Sequence, residues 1–404
     1  MKYSSFFFFS LFLFSQCSNT PQIPQTVAFD GNLLNYSFQQ IKNGNADFTD
    51  AYQQLLIDAE ECLTEGPYTV ISKSKTPPSG NKHDYMSMGP YWWSNPETPD
   101  GLPYIRRDGE RNPERLLITD REYLRKLTNA VETLGLAYYF SKEEKYAEHA
   151  ALLLRVWFLD EATLMNPHLN YGQGVPGITD GRPYGLIETS AFVGMLDGVR
   201  LLESSNLWTN DDNNALKAWF TKFFEWKHTS AIGIAERSTL NNHGTWYDAQ
   251  SIAIALYIGK DDIAKQIASE QSAARLRSQI MPDGSQPHEL ARADAWSYST
   301  MNLRGFFTIA TMAEKVDVDI WNVANDEGKP YMQTALEFLI PTFEDSSRWE
   351  YSQLSDRFDR GTMLNLLQRA AIAYNEPHYA ELFQKYQPTE RRATRNRNIL
   401  LWSR

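Results

Sequence analysis

From about residue 118 almost to the end of the chain, apolar residues return every three or four positions, as in Leu124, Leu127, Val131, Leu134 and Ala137. That spacing matches the turn of an α-helix and gives each segment one apolar stripe for a core. It predicts helices over 45–64, 119–140, 143–158, 184–204, 210–228, 245–257, 260–279, 298–314, 330–342 and 362–386. Alternating β-branched runs, the mark of half-buried strands, are scarce. Turn-rich loops separate the helices, among them NPHLNYGQGVPGITDGRP (166–183) and MPDGSQPHELARADAW (281–296). The pattern is that of an all-α protein made of successive helical hairpins. An open solenoid would show a fixed repeat, and none is present. Long polar and aromatic loops at helix ends favour a closed toroid, with the loops surrounding one funnel-shaped cleft.

Three segments depart from the helical pattern. Residues 66–117 are rich in Pro, Gly and aromatics; a loop this long is functional or disordered. Disordered segments avoid aromatics, and this one holds Tyr85, Tyr91, Trp92, Trp93 and Tyr104, so it reads as an ordered lid or cleft wall. The arginine-rich end, PTERRATRNRNILLWSR, reads as a solvated tail or an edge element. At the other terminus Lys2 precedes an apolar run, Phe6–Phe14, too short to span a bilayer. Residues 1–16 therefore read as an export signal, 17–27 as a tether and 28–404 as a single domain. Cys17 sits where a bacterial lipobox places its lipidated cysteine, although Phe14 and Gln16 depart from the usual pattern. Two readings stand: a lipoprotein anchored through Cys17, periplasmic or on the outer membrane of a Gram-negative bacterium, or a simply cleaved exported protein.

Composition narrows the chemistry. The 404 residues are 42% hydrophobic and 13% aromatic, enough for a large core. The formal net charge of −11 argues against a nucleic-acid binder, which would be basic; an anionic ligand would need a local cluster of cations. Cys17 and Cys62 are the sole cysteines, so no zinc-type spacing exists and a lipidated Cys17 would leave no intrachain disulfide. The seven histidines form no HExxH pair, and no GxSxG elbow or phosphate-binding glycine pattern is present. No metal or cofactor is called for.

Two stretches carry candidate chemistry: NNHGTWYDAQ (241–250) and HELARADAWSYS (288–299). Asn241 or Asn242 suits a helix N-cap, and in isolation His243 reads as an ordinary core histidine. The combination suits one reaction. β-Elimination in a polyuronate removes the C5 proton, α to a carboxylate, and expels O4. It requires donors for the carboxylate, a base for C5 and an acid for O4. Asn242 and Arg292 can neutralise the carboxylate, while His243 and Tyr298 can act as base and acid.

At these residues the sequence resembles the alginate lyase superfamily of helical-toroid polysaccharide lyases. Polysaccharide lyase family 38 is the nearer match and family 5 the more distant one. The resemblance is carried by KHDYMSMGPYWWSNPE with PYIRRDGERNPE beyond it, by NNHGTWYDAQ, and by ARADAWSYS. It implies an (α/α) toroid, or an incomplete barrel, and metal-independent β-elimination on alginate or a related polyuronate such as glucuronan. It also implies that His243 is the base when the C5 proton and O4 lie on opposite sides, and that Tyr298 protonates O4 and serves as both base and acid when they lie on the same side. A polyanionic chain would then meet Lys82, His83, Arg106, Arg107, Arg182 and His288, with Arg304 further along, and stack on Tyr85, Tyr91, Trp92, Trp93 and Trp246. Glu188 would orient a catalytic group or pair with an arginine. The implied partner is an acidic polysaccharide met by a monomer. Two other readings remain open: a glycoside hydrolase on oligouronides, using carboxylates among Asp180, Glu188, Glu289 and Asp294, and a non-catalytic sugar-binding lipoprotein.

Overall fold

The computed structural model describes residues 23–354, 358, 360–387 and 393–404. The export segment, Cys17 and the first part of the tether lie outside them. The chain opens with α1 (Gly31–Lys42) and α2 (Ala46–Leu63), capped by the side chains of Asp30 and Asn45. The lid segment then runs to α3 (Asp120–Ser141), whose stripe Leu124, Leu127, Val131 and Leu134 is buried. Each such side chain contributes about 1.5–3 kcal/mol of burial. α4 (Glu144–Leu154), α5 (Phe192–Leu202) and α6 (Asn210–Thr229) follow, the last opened by a Thr209–Asp212 capping box. Next come α7 (Ala231–Arg237), α8 (Asn242–Tyr257), α9 (Asp261–Gln266), α10 (Ala273–Gln279), α11 (Pro287–Leu290) and α12 (Ala295–Ala313). The chain ends with α13 (Tyr331–Glu344), α14 (Arg360–Ala373), α15 (Pro377–Tyr386) and α16 (Ala393–Trp402).

Packing closes these helices into a ring. α2 packs on α3, α3 on α5, α5 on α8, α8 on α12, α12 on α14, α14 on α16, and α16 on α2 again. The α3–α5 contact is made by backbone: a Cβ on Gly135 would lie 2.6 Å from the Cα of Gly198. The other helices back the ring, α4 on α3, α6 on α8, α13 on α12 and α15 on α14. The architecture is an (α/α) toroid. The arginine-rich C-terminus is not a solvated tail over its described part. Its NILLW stretch makes α16 a ring member, with Leu400 fully buried; residues 388–392 lie outside the described residues. The predicted helix 362–386 is two helices, broken at Asn375 in the left-handed region with φ 51°. Over 184–204, a 3-10 turn at Pro183–Thr189 precedes α5.

The inner helices share a direction, and this creates the site. Glu188, just ahead of α5, pairs with Arg121 at the start of α3. Glu289, just ahead of α12, holds Asn242 at the start of α8. At the far end, Arg200 of α5 donates to the Leu256 and Tyr257 carbonyls that finish α8. Helix N-termini therefore gather at one mouth, where their partial positive charge favours anions. The segment before α1 crosses the opposite end: buried Asp197 accepts the N–H groups of Val27, Ala28 and Phe29, and Lys315 donates to Thr26 and Phe29.

The lid is pinned by short strands. β1 (Met86–Met88) pairs in parallel with β4 (Tyr171–Gly174), and β2 (Trp92–Trp93) pairs antiparallel with β3 (Ile105–Arg106). No helix among the described residues is long and apolar enough to cross a membrane.

Candidate active site

The start of α8 supplies the first half of the site. Asn241 is the N-cap, its side-chain oxygen accepting the His243 N–H at 3.2 Å. Asn242 and His243 thus occupy the first turn, and successive residues point about 100° apart around a helix, so they meet different neighbours. Asn242 is fully buried. Its backbone N–H donates to Glu289 Oε1 at 2.5 Å and its Nδ2 to Glu289 Oε2 at 2.8 Å. Glu289 is buried as well; burial pushes its carboxyl up, against the pull of the Asn242 donors. The Asn242 amide oxygen is buried without a hydrogen-bond partner among the described residues. His243 is 14% exposed, and its Nδ1 lies 2.7 Å from Oε1 of Glu236, which is 1% exposed. Its ring meets that of Tyr184 in a T-shaped contact, with centroids 4.8 Å apart.

The start of α12 supplies the second half. The Arg292 guanidinium lies over the Tyr298 ring, 3.8 Å from its centroid. It also grips the lid carboxylate Asp108 through Nε at 3.1 Å and Nη2 at 3.0 Å. Burial pushes the Asp108 carboxyl up, but the Arg292 guanidinium and the Ala293 N–H outweigh it and draw it down to about 2. The Tyr298 hydroxyl is 2.6 Å from that of Tyr91 on the lid. Burial, and then the neighbouring Tyr91 phenol, hold Tyr298 well above the ordinary tyrosine range, with Arg292 opposing. Direct contacts therefore tie the two halves to the lid: Asn242 to the turn that carries Arg292, Arg292 to Tyr298 and Asp108, and Tyr298 to Tyr91.

The wall beside His243 is a ladder of cations and rings. Arg182 stands between Trp92 at 5.7 Å and Tyr184 at 5.1 Å, and donates to Gln173 at 2.7 Å. Arg107 covers Trp93 at 5.2 Å, and exposed Arg106 pairs with Asp108 at 2.7 Å. His288 is exposed on α11. Arg304 stands over Trp246.

Several expected sugar contacts sit elsewhere. Tyr85, just ahead of β1, is wholly buried in the base of the lid, where its hydroxyl donates to Glu188. Glu188 pairs with an arginine, as one of its two readings expected, and is not a sugar contact: its buried carboxylate accepts from Tyr85 and Ser87 and pairs with Arg121, fastening the lid to α3. Trp246 is 6% exposed and packs among the inner helices, its N–H directed to the Met301 carbonyl. Lys82 and His83 hold backbone oxygens, of Lys73 and Leu164 respectively. The buried engagement of Glu188 and Glu289 removes both from the pairs a hydrolase would need. Sequence reasoning passed over Glu236, Asp108 and Tyr184. Asp108 sat within the quoted PYIRRDGERNPE and Tyr184 directly after the quoted loop 166–183, whereas Glu236 lies in AIGIAER, which carries no motif.

A toroid whose inner helices present an Asn-His pair, an arginine and a tyrosine at one mouth defines the class of (α/α)-toroid polysaccharide lyases. The family model for alginate lyase matches residues 69–349. A crystal structure of an alginate lyase from Bacteroides ovatus is similar over 94% of this chain and 100% of that one, with 39% identity and a TM-score of 0.89. Alginate lyase A1-III from Sphingomonas species A1 is similar over 92% of this chain and 94% of that one, with 14% identity and a TM-score of 0.59, a likeness of fold. A variant of that enzyme complexed with a tetrasaccharide has 13% identity and a TM-score of 0.60, over 96% of this chain and 98% of that one. No curated protein matches the chain. The chain belongs to the alginate lyase family.

Proposed function

We propose that this protein cleaves alginate by β-elimination, leaving a 4,5-unsaturated uronate at the new non-reducing end. The observation that carries the reading is the Arg292–Tyr298 stack beside an Asn242–His243 helix start, at a mouth where helix N-termini converge. The uronate carboxylate takes the bidentate face of Arg292, which already holds a carboxylate of that shape in Asp108. The remaining amide hydrogen of Asn242 assists. Charge developing on the carboxyl group as C5 loses its proton is then met by fixed donors. His243 Nε2 takes the proton when it lies on the face opposite O4, and Tyr298 takes it when both share a face. The C4–O4 bond breaks, C4=C5 forms, and the Tyr298 hydroxyl protonates O4.

Incubation with polymannuronate, polyguluronate and glucuronan, chelator present, tests the reading. An ultraviolet absorbance rise from the new double bond is expected; no rise on any polyuronate overturns it. We also propose that the chain is exported and anchored through a lipid on Cys17, and that it acts as a monomer, since one chain supplies every group named. The apolar run Phe6–Phe14, followed three residues later by Cys17, supports the anchor. Cys17→Ser should release the protein into the soluble fraction, and unchanged membrane association would exclude the anchor.

A further inference from the structure

We infer that Glu236 is a positioning residue that sets His243 as the base for one C5 epimer of the substrate and leaves the other epimer to Tyr298. The inference rests on the β-elimination reading and goes beyond it by assigning the two stereochemical routes to separately supported groups.

The geometry begins with α7. This short helix follows α6 after a Ser230 cap and packs back on its end. The approach requires glycine: a Cβ on Gly233 would fall 1.8 Å from the Lys227 carbonyl oxygen. Glu236 is thereby turned inward, 1% exposed, with Oε1 2.7 Å from His243 Nδ1. The turn from α7 to α8 is braced from below by Arg275, which pairs with Asp248 at 2.7 Å and donates to the carbonyls of Arg237 and Thr239. Both partners of that pair are almost fully buried. On its other flank His243 meets Tyr184. His243 is therefore held at its ring Nδ1, at its backbone N–H and by the ring of Tyr184.

A carboxylate at Nδ1 has two consequences. It keeps the neutral ring's proton on Nδ1, so the lone pair sits on Nε2. It also stabilises the imidazolium formed once Nε2 has taken a proton. Tyr298 has no contact with this carboxylate; its partners are Tyr91 and Arg292. In guluronate the C5 proton and O4 lie on opposite faces, and in mannuronate on the same face. Glu236 should therefore matter for polyguluronate and far less for polymannuronate.

Glu236→Gln is isosteric and tests this. Its amide can donate to Nδ1 and force the proton onto Nε2. The kcat on polyguluronate should fall about 100-fold or more, as when a triad carboxylate is neutralised, with KM nearly unchanged. The ratio of polyguluronate to polymannuronate rates should fall at least about 30-fold. Glu236→Asp should restore part of the polyguluronate rate. On a His243→Ala background, Glu236→Gln should add no further loss on polyguluronate, a comparison that survives partial destabilisation because both proteins carry the same lesion. Equal loss on both polymers, an unchanged ratio, or additive loss in the double variant would each overturn the assignment. So would a wild type that cleaves polymannuronate but not polyguluronate. A wild type inert on every polyuronate overturns the lyase reading itself, whereas an active wild type with an unmoved ratio overturns the role of Glu236 alone.

Discussion

The two helix starts that carry the site are held by different parts of the molecule. At α8, Asn242 and His243 are gripped from inside the toroid by two buried carboxylates, Glu289 and Glu236. At α12, Arg292 and Tyr298 are gripped from outside, by Asp108 and Tyr91 of the lid. The carboxylates at α8 sit on helices packed into the ring, so that half is fixed by the fold itself. The groups at α12 reach it from a segment tied down by two-stranded pairs and by the Tyr85–Glu188 fastening. Preorganisation is thus built into the base-and-amide half, while the arginine-and-acid half depends on where the lid lies.

The largest test of this division is Tyr298→Phe. On the proposed mechanism Tyr298 protonates O4 on both routes, so losing its hydroxyl should lower kcat on polymannuronate and polyguluronate alike, by about 100- to 10,000-fold. Absorbance assays on both polymers measure it. A variant that kept the wild-type rate on either polymer would remove Tyr298 from the acid role there. The contrast with Glu236→Gln, which should divide the polymers, is what separates the two halves functionally.

Asp108→Ala probes the lid's hold on Arg292. The lid carboxylate occupies the bidentate face that the substrate carboxylate takes in the proposed mechanism, so on that reading the two compete. A partly exposed ion pair of this kind is worth about 1 kcal/mol or less, so its removal should lower KM for either polymer by up to about fivefold. A raised KM would mean instead that Asp108 holds Arg292 in its productive position. The comparable change at α8, Glu289→Gln, should instead lower kcat, because it disturbs the fixed amide rather than a competitor.

Much of this was legible in the sequence, and the omissions have physical causes. The stripe of α3 was readable to within a residue at each end, because twenty-two residues carry the period several times over. The start of α12 was placed three residues late, and α8 likewise, because the first turn of each carries polar groups that interrupt the apolar pattern. α16 was hidden by arginines that precede its apolar end. At the candidate site, the residues Asn242, His243, Arg292 and Tyr298 were proposed from the sequence because the reaction names the groups it needs, and the fold joins them through Glu289, the Arg292–Tyr298 stack and the lid. Glu236 was not, since seven residues of AIGIAER give no period and its meaning arises only when α7 folds back onto α6. The fate of Tyr85 was unreadable for the converse reason: an aromatic in a lid looks the same in sequence whether it faces a sugar or is buried beneath the lid.

The subtlest expected effect concerns Tyr91. Tyr298 is held above the ordinary tyrosine range first by burial and then by Tyr91, whose hydroxyl is 2.6 Å away. An acid with a raised pKa gives up its proton only at higher pH. If Tyr298 must be ionised to take the C5 proton of mannuronate, the polymannuronate rate should climb with pH through the neutral and mildly alkaline range, by up to about tenfold per pH unit. Tyr91→Phe removes a contribution that raises the pKa and leaves Arg292, which lowers it. The rising limb should therefore move to lower pH, by less than about one unit. The polyguluronate profile should move far less, because on that route Tyr298 does not take the C5 proton. A limb that moved to higher pH would show that the Tyr91 hydroxyl stabilises the tyrosinate by donating to it, and equal movement on both polymers would show that the lid acts on the α8 half as well.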